Sequence, residues 1–96
     1  MTDDEINASI AESCGWTEVN VTHRSGRAPG ASYVGSEFIP NYCTDLNAMY
    51  EAETTLLAHD LWTMAYNLPY SGALSFRASA RQRAEAFLRT LGKWKE

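Results

Sequence analysis

Ile6-Asn-Ala-Ser-Ile-Ala-Glu-Ser-Cys-Gly-Trp-Thr-Glu-Val-Asn-Val-Thr-His-Arg24 carries two periods in one stretch. Ile6, Ile10 and Cys14 recur every four residues with Ala11 beside them, the spacing of a helical stripe that faces a core. Just upstream, Thr2 and Glu5 stand in capping-box spacing, and Asp3 and Glu5 sit at the positive end of the helix dipole. Gly15 is a natural stop. From Trp16 the period drops to two. Trp16, Glu18, Asn20, Thr22 and Arg24 alternate with Thr17, Val19, Val21 and His23, and β-branched residues are dense. The pattern predicts a strand over 16–24 whose Val19/Val21 face is buried. A helix that runs into a strand within 24 residues points to the α+β class.

Working outward, residues 25–41 hold three glycines and two prolines. They predict a loop at Ser25–Gly30, a short return strand at Ala31–Val34, and a stop at Pro40 after Phe38 and Ile39. A second helix begins near Thr44 or Asp45, both good caps, with Leu46, Met49, Tyr50, Leu56 and Leu57 as its apolar face. A third helical segment runs from Asp60 to Leu68, with Leu61, Met64, Ala65 and Leu68 in register, and stops at Pro69. The pattern leaves open whether Ala58-His59-Asp60 breaks the second helix from the third. Tyr70-Ser71-Gly72 reads as a turn and Ala73–Arg77 as a second strand. Ser79 and Gln82 give another capping box, Ala80, Ala84, Phe87, Leu88 and Leu91 form the cleanest helical stripe, and Gly92 closes it. Trp94 follows where it can fold back on that helix end.

The chain has 96 residues, enough for one core, so a single domain over 1–96 is expected. Apolar residues at 45% and charged residues at 21% are a globular balance rather than a disordered one. No apolar run approaches the roughly 18 residues of a membrane span. The acidic opening Met1–Glu5 lacks the apolar region of a secretory signal, so the protein is expected to stay in the compartment where it is made. Cys14 and Cys43 are too few for a disulfide framework and read as two small buried side chains. A domain of this size leaves much surface unburied, which makes a homo-oligomer the expected state.

The net charge of −4 is unevenly spread. Residues 1–76 carry ten acids and two bases, Arg24 and Arg27, whereas residues 77–96 carry six bases and two acids. An acidic body with one basic segment lacks the broad basic face that duplex nucleic acid needs. It suits a local anion site or internal charge pairing.

Three segments together are similar to one known family. They are Ile6–Trp16, Tyr42-Cys-Thr-Asp-Leu-Asn-Ala-Met-Tyr-Glu-Ala-Glu53 and Ala78-Ser-Ala-Arg-Gln-Arg-Ala-Glu-Ala-Phe-Leu-Arg-Thr-Leu-Gly-Lys-Trp94. In order and spacing they resemble the phage ABA sandwich domain family, small proteins of phages and prophages. The resemblance covers about half the chain. It implies a small layered helix/sheet/helix sandwich with three or four helices and a short antiparallel sheet. It also implies a phage origin, hence the cytoplasm of an infected bacterial host, and no enzymatic activity. This chain has Tyr50 where that family commonly has histidine, and its 24–39 loop has no counterpart there.

Catalytic patterns are missing. Cys14, Cys43, His23 and His59 share no metal-ligand spacing, so neither metal nor cofactor is expected. Glu51 and Glu53 are two apart on a helix and point different ways. No serine sits in Gly-x-Ser-x-Gly, and Gly26, Gly30 and Gly35 make no phosphate-cradling loop. The basic C-terminal helix has two readings. In one, Arg81, Glu85 and Arg89 form an i,i+4 self-paired, solvated face. In the other, Arg77 and Arg81 flank the helix N-terminus and hold a phosphate there. Arg24 and Arg27 flank Ser25-Gly26 near Tyr33, where guanidiniums can take phosphates while a base stacks on the ring.

Trp16, Trp62 and Trp94 are assigned to core or oligomer contacts. The expectation is thus a non-enzymatic phage accessory protein. It would bind and sequester a nucleotide-type immune signal through Arg24, Arg27, Tyr33, Arg77 and Arg81, at a pocket shared between protomers. The alternative is an interaction module that docks on a host or phage protein through an apolar face.

Overall fold

The computed structural model describes residues 1–30, 35–69 and 77–95. Among them are four helices and one three-stranded antiparallel sheet, the expected α+β class. Helix α1 spans Asp3–Ser13. Its capping box forms as read: the Glu5 amide donates to the Thr2 hydroxyl (3.2 Å) and the Thr2 amide to the Glu5 carboxylate (3.0 Å). Ile6, Asn7, Ala8, Ile10 and Ala11 are buried, so the covered arc is about half the helix and wider than a single stripe. Gly15 ends the helix at φ 97°, a left-handed backbone that suits glycine.

The sheet corrects the sequence reading. Strand β1 is Thr17–Asn20, β2 is Ser25–Arg27 and β3 is Glu37–Phe38, in that spatial order. The single strand expected over 16–24 therefore turns back on itself at Val21–Arg24. The turn has a local cause. The Asn20 side-chain carbonyl accepts from the His23 amide (3.0 Å), and Arg24 adopts φ 47°. Glu18 at φ 52° falls where the β1–β2 register shifts. The expected buried Val19/Val21 face is not formed: Val21 is 40% exposed and Val19 is only partly buried. The first half of the predicted Ser25–Gly30 loop is strand. Gly26 suits this close approach, because a Cβ would crowd the Thr17 carbonyl at 3.2 Å and the Trp16 ring at 3.4 Å. The predicted return strand at Ala31–Val34 and turn at Tyr70–Gly72 lie outside the described residues, as does Ala73–Phe76. Arg77, read as the end of a strand, is in none.

Helix α2 spans Leu46–Glu53 behind its cap Asp45, whose carboxylate accepts from the Asn47 and Ala48 amides (3.0 and 3.2 Å). Its buried face is Ala48, Met49, Ala52 and Glu53, whereas Leu46 and Tyr50 are exposed. The expected face was rotated away from this one. Helix α3 spans Ala58–Asn67, so the break lies before Ala58-His59-Asp60 and not within it. Helix α4 spans Ala80–Thr90 with the Ser79–Gln82 capping box formed, and Gly92 follows at φ 71°. Of its expected stripe, Ala80, Ala84, Phe87 and Leu88 are buried, joined by Ala86, whereas Leu91 at the C-cap is only partly buried.

Helices α1, α2 and α3 all pack on α4, and β1 brings the sheet onto α1. Among the described residues the largest fully buried side chains are Phe87, Ile6, Ile10, Ile39, Met49, Leu88 and Asn7. Asn7 is the polar member. Its amide donates to the Asn41 side chain (3.2 Å) and its carbonyl accepts from the Cys43 amide (3.3 Å), which ties α1 to the segment before α2. Cys14 and Cys43 are free thiols.

Candidate functional site

The five expected ligand residues fall into separate settings. Arg24 sits in the strained turn before β2 and Arg27 ends that strand, both half-buried. Tyr33 lies outside the described residues. Arg77 is exposed ahead of α4. Arg81 is on the first turn of α4, but its charge is already answered. Its Nε donates to the Asp3 carboxylate (3.1 Å), Glu85 lies 3.9 Å from its Nη1, and its guanidinium stands 5.4 Å from the Trp94 ring centre. Arg89 approaches the same indole at 5.1 Å and pairs with Glu85 at 3.3 Å. The self-paired reading of this helix face is therefore the observed one for Arg81, Glu85 and Arg89. Trp94 does fold back over the helix and lies against both guanidiniums. The capping box uses the Gln82 amide at the α4 N-terminus, so that amide is not open to an anion. Arg81 nonetheless borders an open cavity of about 490 Å³ with Asn67, Pro69, Gln82 and Glu85.

Arg83 takes a different course. It reaches inward and grips Glu53 of α2 with both arms: Nε donates to Oε2 at 3.0 Å, and Nη2 donates to Oε1. Both side chains are largely buried, and the Tyr50 ring covers the guanidinium at 5.1 Å. The hydrogen bonds that Arg83 donates to the Glu53 carboxylate are the chief cause that raises its pKa further. The sequence did not reveal this pair. The one signal was that Glu53 continues the Ala48, Met49, Ala52 stripe into a core position.

Two thiols and a phenol are held neutral. Burial, with the Asp3 charge next in weight, pushes the Cys43 thiol up to about 11. Burial likewise raises Cys14 and Tyr42. Neither thiol is a ready nucleophile at neutral pH. No group of three or more potential metal ligands occurs among the described residues. No helix among them is long and apolar enough to cross a membrane.

The largest unexplained feature is α3. Met64 is its one buried residue, packed with the α4 side of the core. Leu57 at its cap is 68% exposed, Leu61 44%, Trp62 71% and Tyr66 86%. Leu61 and Trp62, with Ala58 and Ala65, line an open hollow of about 320 Å³ on the same helix. The signal for this face was in the sequence. Seven apolar residues between Ala58 and Leu68 exceed what one core-facing stripe uses. Trp62 is thus not a core residue of the described chain.

No protein-family model, curated protein or solved structure matches the chain.

Proposed function

We propose that this protein is an interaction module that docks on a protein partner through the exposed apolar face of α3. The observation that carries this reading is the continuous row of Leu57, Leu61, Trp62 and Tyr66 turned to solvent. Two aromatics and two leucines at those exposures present apolar area on the order of 500 Å². Monomers rarely leave a contiguous patch larger than a few hundred Å² without a use for it. Tryptophan and tyrosine are also the side chains that dominate binding energy at interfaces. The role is non-enzymatic. A photoreactive residue at position 66, activated in cells, tests the reading. A discrete protein adduct that disappears in the Trp62→Glu background supports docking. Absence of any adduct overturns it. Trp62 is largely solvent-facing, so that substitution leaves the melting temperature of the dilute chain unchanged.

A second reading has its own observation. The cavity bordered by Arg81, Gln82, Asn67 and Glu85 offers a guanidinium and two carboxamides; a phosphate there takes the place of Asp3 and Glu85 on Arg81 and of Thr90 on the Asn67 amide. In this reading the protein sequesters a nucleotide-type immune signal without turnover. Arg24, Arg27, Tyr33 and Arg77 would supply the rest of the charge and stacking, as a homo-oligomer in the cytoplasm of a phage-infected bacterium. Calorimetry with cyclic di- and trinucleotides and ADP-ribose derivatives decides it. Binding that Arg81→Gln weakens at least tenfold supports sequestration, and no heat from any compound at tens of micromolar removes it.

A further inference from the structure

We infer that the occupant of the α3 face is a second copy of this chain, seated α3 against α3 in antiparallel, two-fold pairing; the inference rests on the docking reading above and names its partner. On a helix that advances about 100° per residue, Ala58 and Ala65 fall on the midline of the exposed apolar arc. Leu57 and Leu61 form one edge of the arc, and Trp62 and Tyr66 the other. The hollow lined by Ala58, Leu61, Trp62 and Ala65 is this midline, lowered where the side chains are only methyl groups. An antiparallel copy whose two-fold axis passes between Leu61 and Trp62 sets Ala58 opposite Ala65 of the second copy, and Ala65 opposite its Ala58. The two backbones then approach at their smallest side chains. Leu61 meets Leu61 and Trp62 meets Trp62 beside the axis. The surface is self-complementary, as a two-fold interface requires.

Charge does not oppose the same occupant. The chain carries −4 overall, so two copies repel through most of their surface. Helix α3 is the exception. Asp60 is its one formally charged residue, it falls off the apolar arc, and His59 sits 3.1 Å from its carboxylate. Pairing there sets no carboxylate against another. Area agrees as well. An exposed apolar face on the order of 500 Å², extended by its flanking residues, approaches the roughly 800 Å² per partner of a standard interface.

Sedimentation equilibrium of the purified full chain over a wide dilution series tests the inference. Twice the chain mass at high concentration, reverting to one chain mass in Trp62→Glu at the same concentration, is the expected result. Register is read by oxidising an equal mixture of Ala58→Cys and Ala65→Cys chains, with the unmodified chain alongside to control for Cys14. A covalent dimer in the mixture, absent from either variant alone, supports the antiparallel seam. Two Ala58→Cys chains in that seam hold their cysteines about 10 Å apart along the axis, beyond disulfide reach. Efficient bridging of Ala58→Cys with itself overturns the arrangement. One chain mass at every concentration overturns self-association. The docking reading then stands or falls separately, on whether the position-66 adduct contains a different polypeptide or none.

Discussion

At the scale of single residues, the Glu53–Arg83 pair is the most consequential side-chain contact. It bridges α2 and α4 and is largely shielded from water. Two charges removed from water gain little over apolar residues of the same shape, but an unpaired one is costly. Glu53→Gln or Arg83→Met alone is therefore expected to destabilise the fold by about 3–5 kcal/mol, and the double variant by less than the two singles combined. Urea unfolding of the four chains in a double-mutant cycle measures this. Tyr50, which covers the guanidinium, adds packing to the same contact. Cys43 makes a prediction of the opposite electrostatic kind. Its thiol is buried, and its pKa rises from an ordinary 9 to about 11 in the folded chain. Between those values the unfolded chain has lost the proton and the folded chain keeps it, so stability falls as pH rises. The contribution is full below pH 9 and is lost on passing about 11. It amounts to roughly 3 kcal/mol, and Cys43→Ala is expected to flatten this part of the stability–pH profile.

At the scale of elements, what could be read from the sequence depended on whether the cause was local. The capping boxes Thr2–Glu5 and Ser79–Gln82 carry their own signal, and both helices begin where it says. Ser79→Ala is expected to cost about 1 kcal/mol, read from the same urea midpoints. The strand failed because alternation in 16–24 was outweighed by Asn20, which folds its side chain onto the His23 amide and turns the chain. The buried face of helix α2 departs from its apolar pattern because the buried stripe includes a charged residue. Glu53 is tolerated there only by Arg83, thirty residues away, and no local pattern records that partner. The candidate site divides the same way. The pairing of Arg81, Glu85 and Arg89 follows from i,i+4 spacing and was legible. The contact of Arg81 with Asp3 joins opposite ends of the sequence and was not. Helix α3 announced its apolar residues plainly. Which of them face out is decided by how it lies on α4, where Met64 alone is fully inserted.

At the scale of the whole molecule, the four helices share one core centred on α4, and α3 joins it by a single buried side chain. A second copy over the α3 face adds burial where the single chain has least. Folding and association are then linked, and the linkage has a measurable signature. A chain that folds as a dimer gains stability with concentration, because the folded state is favoured by mass action. Each tenfold rise in concentration contributes about 0.7 kcal/mol per protomer, or roughly 3–5 °C in melting temperature for a domain this size. Calorimetric scans at several concentrations are expected to show that rise in the unmodified chain and a constant melting temperature in Trp62→Glu. Salt separates the two functional readings in the same instrument. The α3 seam is apolar and almost uncharged, so raising ionic strength from about 0.05 to about 0.5 M screens the repulsion between two acidic chains and leaves the dimer intact or tighter. A phosphate held by Arg81 is weakened by that change. Apolar pairing keeps its concentration-dependent melting temperature at high salt, whereas any rise in melting temperature that added phosphate gives through Arg81 is lost there.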